Sequence, residues 1–479
     1  MKLFDVVNCC VTKEIIGENV EIKSICFDSR KAEKGCLFVC LEGEKYNGKN
    51  FIKEAINKGA VAVCSSKIID GLTVSQVICE NERKALSFYS ANFNLNPEKK
   101  LKIVGVVGTN GKTSTCHILK HIISSFNKKV AVIGTIGIYF NGIIESSNLT
   151  TLDPPDLFEI FKRLVEKGCE YVIMEVSAHG IYYQKVAPIF FECLIFTNCT
   201  HDHLDFFKTF ENYAMVKKSI FSNKNAKFLL VNSDDKTCRG LLNLKNIYSY
   251  GIYEPSDVFA VNVKESVKGC EYVINLFDSI YHVKTNLLGL FNVYNCLGAI
   301  VCAKILGFNA KKIVESLISL PPVSGRMELV ATVNGGRVFV DYAHTPDGLE
   351  NVLISLRKVT KNNLFCLFGC GGNRDRSKRK IMGKIAGDIA DYVIITSDNP
   401  RFEEPVDIMK QIEFGVRESS LDYICIVDRK KAIKYALENL QNGDTLLIAG
   451  KGAEAYQEIL GVKHTFSDKE VVLEFLNYG

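Results

Sequence analysis

The sequence predicts an α/β protein with three domains, and three observations support this. Its 479 residues are enough for about three domains of ordinary size. Short apolar runs, typical of buried strands, alternate with helical patterns along most of the chain, as in sheets of mostly parallel strands. A glycine-containing loop at 108–114 joins a strand-like run to a helical pattern. The predicted domains are residues 1–100, 101–325 and 326–479.

The predicted N-terminal domain, residues 1–100, is a small α/β unit. Strand-like runs at 36–41 and 60–64 flank a helix-like segment at 51–58. The segment 94–100 contains a proline and two lysines and is typical of a linker.

The predicted central domain, residues 101–325, begins with a strand at 102–107 and a helix at 113–126, on either side of the glycine loop. An antiparallel insertion of short alternating strands is expected at 257–285, followed by a helix at 291–306. Further buried strands of a mostly parallel sheet are expected at 130–133, 171–174, 194–197 and 228–231.

The predicted C-terminal domain, residues 326–479, repeats the alternation of strands and helices and is expected to be doubly wound and Rossmann-like. Such sheets bind ligands at the carboxyl ends of their strands. The predicted strands are 338–341, 364–368, 392–396, 423–427 and 445–448. Motif-rich turns follow them at 341–344, 369–376, 398–401 and 450–454.

The composition indicates a globular protein, with 47% hydrophobic and 24% charged residues. The net charge of +5 is mild and the lysines are scattered, which argues against a nucleic-acid partner. The 18 cysteines form no CxxC pair and lie mostly in apolar runs, as expected of free thiols in a reducing compartment. No stretch has the ~18 apolar residues that a membrane helix needs, and no signal peptide is evident. We therefore expect a cytoplasmic protein without a membrane partner, and a monomer.

The glycine loop, Gly108-Thr109-Asn110-Gly111-Lys112-Thr113-Ser114, predicts a clamp for nucleotide phosphates like that of P-loop ATPases. Glycines let backbone N–H groups turn toward phosphate oxygens, and the start of the following helix adds partial positive charge. Lys112 would reach the β- and γ-phosphates, and the Thr113 hydroxyl would bind magnesium. Val106 stands where the general pattern has its first glycine. The alternative is a tight strand–helix turn without a ligand.

Two polar side chains follow predicted strands. Glu175 ends the buried strand at 171–174, where a carboxylate suits magnesium, although it could instead cap a helix or form an ion pair. His203 follows the predicted strand at 194–197, although a lone histidine is more often structural. His201 and Asp202 are lesser candidates.

The sequence of the glycine loop resembles that of the Mur ligase family, and further motifs extend the resemblance over nearly the whole chain. Among them are Asp28-Ser29-Arg30, Thr150-Thr151, Glu175-Val176-Ser177-Ala178-His179-Gly180, Asn198-Cys199-Thr200-His201-Asp202-His203-Leu204-Asp205, Tyr213 to Lys217, Gly325-Arg326-Met327-Glu328, Asp341-Tyr342-Ala343-His344 and Asp398-Asn399-Pro400-Arg401. The member it looks most like adds the third residue of the peptidoglycan stem peptide.

The resemblance implies an enzyme that forms an amide bond from a carboxylate and an amine with ATP and Mg²⁺. The acceptor would be UDP-N-acetylmuramoyl-L-alanyl-D-glutamate, and phosphoryl transfer from ATP would activate its carboxylate as an acyl phosphate. It implies that Glu175, His203 and Lys217 serve magnesium, with Lys217 carbamylated to an anionic ligand. A neutral amine must form first, so a depressed lysine pKa is implied. The composition alone would favour a solvated Lys217 on a helix surface.

The resemblance also implies binding residues. Asn292 and Asn295 would contact adenine, or else cap a helix. Ser29, Glu44, Lys45 and Tyr46 would contact the uridine diphosphate, and Thr150, Thr151, Ser177, Tyr183 and Lys185 the muramoyl peptide. The amine substrate would be meso-2,6-diaminopimelate, held by Arg374, Asp398, Asn399, Pro400, Arg401, Gly450 and Glu454, because a guanidinium can bind its extra carboxylate bidentately. Glu454 would pair with its distal ammonium, although surface ion pairs would also explain these residues.

Several residues depart from the family pattern and concern the acceptor peptide more than ATP. They are Leu152 for proline, Ala178 for serine, Tyr183 for glutamine, Lys185 for arginine and Ala453 for histidine. The alternatives therefore include a lysine-adding form, a divergent paralogue acting on another glutamyl substrate, and a folylpolyglutamate synthetase. A non-catalytic nucleotide-binding regulatory protein is an alternative of another class.

Overall fold

The computed structural model describes residues 1–43, 47–147, 149–419 and 422–478. Backbone contacts divide the chain into two compact units. The first comprises Met1–Val107, Asn127–Leu194 and Val216–Leu229, and the second comprises Gly108–Phe126, Ile195–Met215 and Leu230–Gly479. The predicted boundaries after residues 100 and 325 stay a prediction.

The first unit contains a five-stranded sheet built from the N-terminal residues. Four strands are parallel and Thr12–Ile16 is antiparallel at one edge. Buried side chains of the sheet pack against the helices Leu3–Val7 and Glu82–Phe93. In sheet order the strands are Thr12–Ile16, Ser75–Cys79, Ala62–Ser65, Cys36–Val39 and Ser24–Cys26. The predicted helix at 51–58 is confirmed as Ile52–Asn57.

The predicted linker at 94–100 contains a 3-10 helix, Pro97–Lys100, with Pro97 and Glu98 buried. Proline at the first helical position suits such a turn because its fixed φ is already helical and its missing N–H is not needed there. Other 3-10 helices are Ser29–Lys31, Gly48–Phe51, Leu317–Ser319 and Arg417–Ser419.

The first unit also contains three of the predicted parallel strands. Tyr171–Val176 lies between Lys102–Val107 and Val130–Gly134 and is parallel to both. The hairpin Gly137–Phe140 and Ile143–Glu145, which was not predicted, continues the sheet antiparallel to Val130–Gly134. The helices of this part are Pro154–Glu166 and Ala178–Tyr182. The carboxyl ends of the parallel strands lie at one edge, and polar residues follow them there.

Three elements contribute residues to both units: the strands Phe191–Phe196 and Ala226–Asn232 and the helix Phe210–Ser219.

The second unit begins with the helix Lys112–Ser124, which confirms the helix expected after the glycine loop. The antiparallel insertion is confirmed by the consecutive strands Val258–Ser266, Gly269–Leu276 and Ser279–Thr285. The strand Ile247–Gly251 pairs parallel to the first of them. The helices of this part are Leu204–Phe207, Lys236–Arg239, Leu290–Ile305 and Ala310–Ser316.

The rest of the second unit is a six-stranded sheet covered by helices on both faces, so the doubly wound prediction is confirmed. One face packs against Pro346–Val359, Ser377–Ile389 and Pro405–Val416. The other packs against Arg429–Asn439 and Asp468–Tyr478. The first strand pairs antiparallel to the second, and the other neighbouring strands are parallel. In sheet order the strands are Glu328–Val333, Gly336–Asp341, Thr445–Ala449, Leu364–Phe368, Tyr392–Ile395 and Tyr423–Cys425. A separate hairpin, Tyr456–Ile459 and Val462–Thr465, was not predicted.

Candidate active site

The glycine loop in the second unit is packed too closely for side chains at its glycines. Gly111 precedes the helix Lys112–Ser124 with a φ of +82°, and a Cβ there would collide with Asn295 Oδ1. A Cβ at Gly108 would collide with Thr197 Oγ1. Lys112 Nζ donates to the carbonyl oxygens of Gly108 and Thr109, each at 2.9 Å, so its ammonium lies over the loop. This arrangement fits phosphate binding, because the first turn of a helix leaves N–H groups without intrahelical partners.

Asn198 and Tyr213, which lie in recognised motifs but were not predicted as site residues, anchor the loop. Asn198 accepts from the N–H of Thr109 through its carbonyl oxygen (3.0 Å) and from that of Asn110 through Oδ1 (2.9 Å). The Tyr213 hydroxyl lies 3.3 Å from Thr109 Oγ1. The Asn198 side chain also donates to the carbonyl oxygen of Asn110 at 3.1 Å. It therefore hydrogen-bonds to both the N–H and the carbonyl group of Asn110.

The predicted adenine residues lie beside the loop, on the helix Leu290–Ile305. Asn295 Nδ2 donates to Asn292 Oδ1 at 3.0 Å, and Asn295 Oδ1 accepts from Thr115 Oγ1 at 3.4 Å. Asn292 Nδ2 donates to the Leu288 carbonyl oxygen at 2.8 Å, but no side chain caps the start of this helix, which follows Gly289. Asn295 thus supports the loop directly, and Asn292 orients Asn295.

Arg326 is a third residue that was missed as a site residue, although its motif was recognised. Its Nη2 donates to Thr113 Oγ1 at 2.9 Å, and its guanidinium carbon lies 4.3 Å from the centre of the Tyr342 ring. It is separated from Thr113 by 213 residues, so only the fold reveals the contact. The Arg326 guanidinium therefore adds positive charge beside the loop, next to the Thr113 hydroxyl that is predicted to bind magnesium.

In the first unit, Glu175 is buried at the end of the strand Tyr171–Val176 within a cluster of hydroxyl groups. Its Oε1 accepts from the N–H of Thr135 (2.8 Å) and its Oε2 from the Thr135 hydroxyl (3.1 Å). The Thr135 and Thr150 hydroxyl oxygens lie 3.1 Å apart. A Cβ at Gly134 would collide with the Glu175 carboxylate, so a glycine is required there. Thr135 was not predicted as a site residue, although it lies two residues after the predicted strand at 130–133.

Thr151 and Ser177 continue this cluster. Thr151 Oγ1 donates to the Glu175 carbonyl oxygen at 3.0 Å and accepts from the Ser177 N–H at 2.9 Å. Ser177 Oγ accepts from the Gly180 N–H at 3.0 Å and so caps the helix Ala178–Tyr182. The structure therefore brings together four predicted residues, Thr150, Thr151, Glu175 and Ser177.

The two substituted acceptor positions, Tyr183 and Lys185, lie on the segment after this helix. Lys185 Nζ pairs with Asp153 at 2.8 Å and donates to the Thr151 carbonyl oxygen at 3.1 Å. The Tyr183 ring carries the Arg83 guanidinium 4.1 Å from its centre. The substituted residue Tyr183 is thus stacked against a guanidinium, and Lys185 is paired with a carboxylate.

Lys217 lies on the helix Phe210–Ser219 with its side chain fully buried, at 0% exposure. This burial excludes the alternative of a solvated lysine. An ammonium in a protein interior is unfavourable unless it is paired or loses its charge.

In the second unit, His203 has a φ of +55° at the start of the helix Leu204–Phe207. Its Nε2 lies 3.3 Å from Asp202 Oδ2, and Lys378 Nζ and His344 Nε2 lie 3.8 and 3.9 Å from the same carboxylate. Burial opposes ionisation of Asp202, but His203, Lys378 and His344 outweigh it and lower its pKa. Asp202 thus orients the predicted ligand His203. The third candidate of this segment, His201, pairs with Asp375 at 3.1 Å.

Among the predicted uridine-diphosphate residues, Ser29 is buried and its hydroxyl donates to Glu54 Oε2 at 2.8 Å. Glu44, Lys45 and Tyr46 lie outside the described residues.

The predicted diaminopimelate residues come together at the carboxyl ends of the six-stranded sheet. Arg401 has a φ of +53°, and its guanidinium donates to Glu458 Oε2 (3.1 Å) and to the Gly372 carbonyl oxygen (2.8 Å). Asn399 Nδ2 donates to Glu454 Oε2 at 3.0 Å. A Cβ at Gly450 would lie 2.6 Å from Asp398 Oδ2, so the glycine admits this carboxylate. Pro400 and the exposed Arg374 lie on the neighbouring loops.

Across the described ranges, no group of three or more His, Cys, Asp and Glu side chains is arranged to hold a metal. In the same part of the chain, no helix is long and apolar enough to cross a membrane.

Comparison with known proteins gives the family. The model of the Mur ligase family catalytic domain matches residues 21–86, that of the Mur ligase middle domain matches 106–303, and that of the Mur ligase glutamate ligase domain matches 325–452. A solved UDP-N-acetylmuramoyl-L-alanyl-D-glutamate–2,6-diaminopimelate ligase has a TM-score of 0.71 at 31% identity and covers 100% of this chain and 99% of its own. The Mycobacterium tuberculosis folylpolyglutamate synthase has a TM-score of 0.64 at 14% identity, covers 77% of this chain and 92% of its own, and shares the fold alone.

Two relatives carry the same name as the first structure. The ligase of Caldanaerobacter subterraneus subsp. tengcongensis is 40% identical over 482 residues, and ligase 1 of Clostridium acetobutylicum is 41% identical over 485 residues. Each alignment covers 99% of both chains. The chain therefore belongs to the Mur ligase family.

Proposed function

We propose that the protein joins meso-2,6-diaminopimelate to the glutamyl carboxylate of UDP-N-acetylmuramoyl-L-alanyl-D-glutamate, with conversion of ATP to ADP and phosphate. The observation that carries this proposal is the roughly 40% identity, over 99% of both chains, to ligases named for this reaction. The reaction is a step of peptidoglycan precursor synthesis, and its nucleotide substrates place it in the cytoplasm.

ATP fits the glycine loop of the second unit. The close packing at Gly108 and Gly111 leaves backbone rather than side chains to face a ligand, and the ammonium of Lys112 would supply a cation for the phosphates. Thr113 would present its hydroxyl to magnesium, and Arg326 would neutralise phosphate charge from the same side. Asn292 and Asn295 would contact the adenine, and Asn295 accepts from Thr115 of the helix that follows the loop.

Magnesium fits the donor chemistry of Glu175 and of Lys217 as its carbamate, and His203 would help to hold a second magnesium. Carboxylate oxygens are the ligands that Mg²⁺ prefers, and a carbamate supplies two more of them. Complete burial of Lys217 supports carbamylation, because burial favours the neutral amine that must react with carbon dioxide. The metal would supply charge neutralisation during phosphoryl transfer.

The acceptor would be held by hydroxyl groups and by one paired cation. Thr150, Thr151 and Ser177 present hydroxyls in one hydrogen-bonded cluster, which suits the neutral groups of a sugar and a peptide. Lys185 keeps the positive charge of the usual arginine. Ser29 and the loop Glu44-Lys45-Tyr46 would contact the uridine diphosphate. We propose that these residues orient the acceptor so that its carboxylate meets ATP in line.

The amine would be held at the ends of the strands of the six-stranded sheet. Arg401 would bind the distal carboxylate of diaminopimelate, and Asp398 and Glu454 would bind its ammonium. Asn399, Pro400, Gly450 and Arg374 would shape the same pocket. We also propose that residues 1–100, 101–325 and 326–479 act as separate domains for the acceptor, the nucleotide and the amine.

The test is ADP release by the purified protein with ATP, Mg²⁺ and diaminopimelate, with and without the UDP-linked acceptor. We expect ADP only when the acceptor is present. Equal ADP release without the acceptor would remove the proposal, as would ADP release that requires a folate and glutamate instead. Binding of ATP without turnover under all conditions would identify a regulatory protein.

A further inference from the structure

A buried lysine lies among the residues proposed to bind diaminopimelate, and its role is not explained by the sequence analysis. Lys451 is in the turn after the strand Thr445–Ala449, yet its side chain is 0% exposed. Its Nζ donates to Asn399 Oδ1 at 3.0 Å and to Glu454 Oε2 at 3.1 Å, and it lies 4.0 Å from Asp398 Oδ1. The ammonium therefore contacts three residues of the predicted amine pocket.

Because the Lys451 ammonium is buried, its positive charge is stabilised mainly by the neighbouring carboxylates. The negative charges of those carboxylates are in turn stabilised by the ammonium. A charge in the interior is tolerated only when opposite charges and hydrogen bonds replace its water. Asp398 and Glu454 are themselves largely buried, with 9% and 20% of their side chains exposed. Without Lys451 the two carboxylates would repel each other, because the other buried cation near them, Arg429, is already paired with Asp468 at 2.7 Å.

The charge balance of the pocket favours one type of amine. Arg401 and Glu458 form an ion pair at 3.1 Å and cancel one another. Asp398, Glu454 and Lys451 then leave one net negative charge. The distal end of diaminopimelate carries an ammonium and a carboxylate, whereas that of lysine carries the ammonium alone. A pocket with two uncompensated carboxylates would repel the extra carboxylate of diaminopimelate and favour lysine.

We propose that Lys451 is a specificity-determining residue that favours diaminopimelate over lysine, by compensating one of the two carboxylates, Asp398 and Glu454, that flank the distal end of the amine. This inference rests on the proposed function. It differs from a structural role, because loss of a purely structural lysine would reduce the use of both amines by the same factor.

The chain offers a matched control. Lys463 faces the same aromatic ring as Lys451: their Nζ atoms lie 4.2 and 5.6 Å from the centre of Tyr456. Lys463 is exposed on the hairpin strand Val462–Thr465. Lys451→Met and Lys463→Met remove the same charge, and Lys451→Gln removes it while keeping a hydrogen-bond donor if the methionine variant fails to fold.

The experiment measures kcat/KM of the full-length protein for diaminopimelate and for lysine, with ATP and the UDP-linked acceptor saturating. We expect the ratio of the two values to fall about tenfold or more in Lys451→Met and Lys451→Gln, and to stay unchanged in Lys463→Met. An unchanged ratio in both Lys451 variants, or an equal loss for both amines, would overturn the inference alone. If the unmodified protein itself uses neither amine, or prefers lysine, the proposed function fails instead.

Discussion

The carboxylate of Glu175 accepts two hydrogen bonds from one residue, Thr135: one from its backbone N–H at 2.8 Å and one from its hydroxyl at 3.1 Å. Both oxygens of the buried carboxylate are thereby oriented. Because Glu175 is a proposed magnesium ligand of the first unit, Thr135 decides how firmly that carboxylate is held.

Removal of the Thr135 hydroxyl should therefore weaken catalysis. We expect Thr135→Val, which keeps the shape of the side chain, to lower kcat/KM for ATP about tenfold, because a buried charged acceptor loses a hydrogen bond worth about 1.5–3 kcal/mol. Thr135→Ser keeps the hydroxyl and should stay close to the unmodified protein. Steady-state kinetics at several magnesium concentrations would check this, and equal rates in the valine and serine variants would count against it.

Lys217 and Lys218 provide a direct comparison for carbamylation. We expect Lys217→Ala to lower activity about a hundredfold or more, because a magnesium ligand is lost, whereas Lys218→Ala should retain most activity. When ¹³C-labelled bicarbonate is supplied, the wild-type protein and Lys218→Ala should both give a carbamate signal by NMR. The same signal in Lys217→Ala, or full activity of that variant, would refute carbamylation of Lys217.

Arg83 contacts Tyr183, a predicted acceptor-binding residue of the first unit, and Glu42. Its guanidinium stacks on Tyr183 and donates to the Glu42 carbonyl oxygen at 2.7 Å. We expect Arg83→Ala to raise KM for the UDP-linked acceptor about tenfold, with KM for ATP unchanged, because a stacking contact and a charged hydrogen bond are both lost. Lys84→Ala, one residue along the same helix, is the control. A rise of the same size in that variant would show that the effect is not specific to Arg83.

The pH dependence of stability should reveal the ion pair between Arg379 and Glu403. The hydrogen bonds from Arg379 outweigh burial and, with the Asn373 N–H, lower the pKa of Glu403 from 4.5 to about 2. The ionised carboxylate therefore stabilises the fold above about pH 4.5, and this contribution is lost as the pH falls toward 2. We expect Glu403→Gln to lower Tm at pH 7, to lower it by less at pH 3, and to match the unmodified protein only as the pH nears 2.

Glu404, the exposed neighbour of Glu403, provides the control for the Tm measurement. Glu404→Gln should leave Tm nearly unchanged at both pH values. A difference between Glu403→Gln and the unmodified protein that is equally large at pH 7 and pH 3 would contradict the assigned role of Glu403.

Strands with apolar runs were predictable from the sequence, and strands with exposed, polar side chains were not. Cys36–Val39 and Thr445–Ala449 are buried on both faces and read as continuous apolar runs. Thr12–Ile16 lies at a sheet edge, and Val462–Thr465 is exposed throughout, so neither has a hydrophobic period to recognise. The doubly wound C-terminal sheet could therefore be predicted, but not its hairpin.

Residue types in motifs were predictable, but not the partners that orient them. Thr113 and Arg326 are 213 residues apart, and Arg401 finds its carboxylate, Glu458, 57 residues away. No local pattern connects such pairs, because the packing of the sheets and helices brings them together. Lys451 was visible in its motif, yet its burial against Glu454 depends on the fold.

The most direct test of the proposed function is the product formed from each amine. The purified protein would be given ATP, Mg²⁺ and UDP-N-acetylmuramoyl-L-alanyl-D-glutamate, together with diaminopimelate, lysine or no amine, and the UDP-linked products would be identified by mass spectrometry. We expect the acceptor to gain one diaminopimelate residue with one ADP released, little lysine product, and no amide product without an amine. A clear preference for lysine, or no product with either amine, would contradict the proposed function.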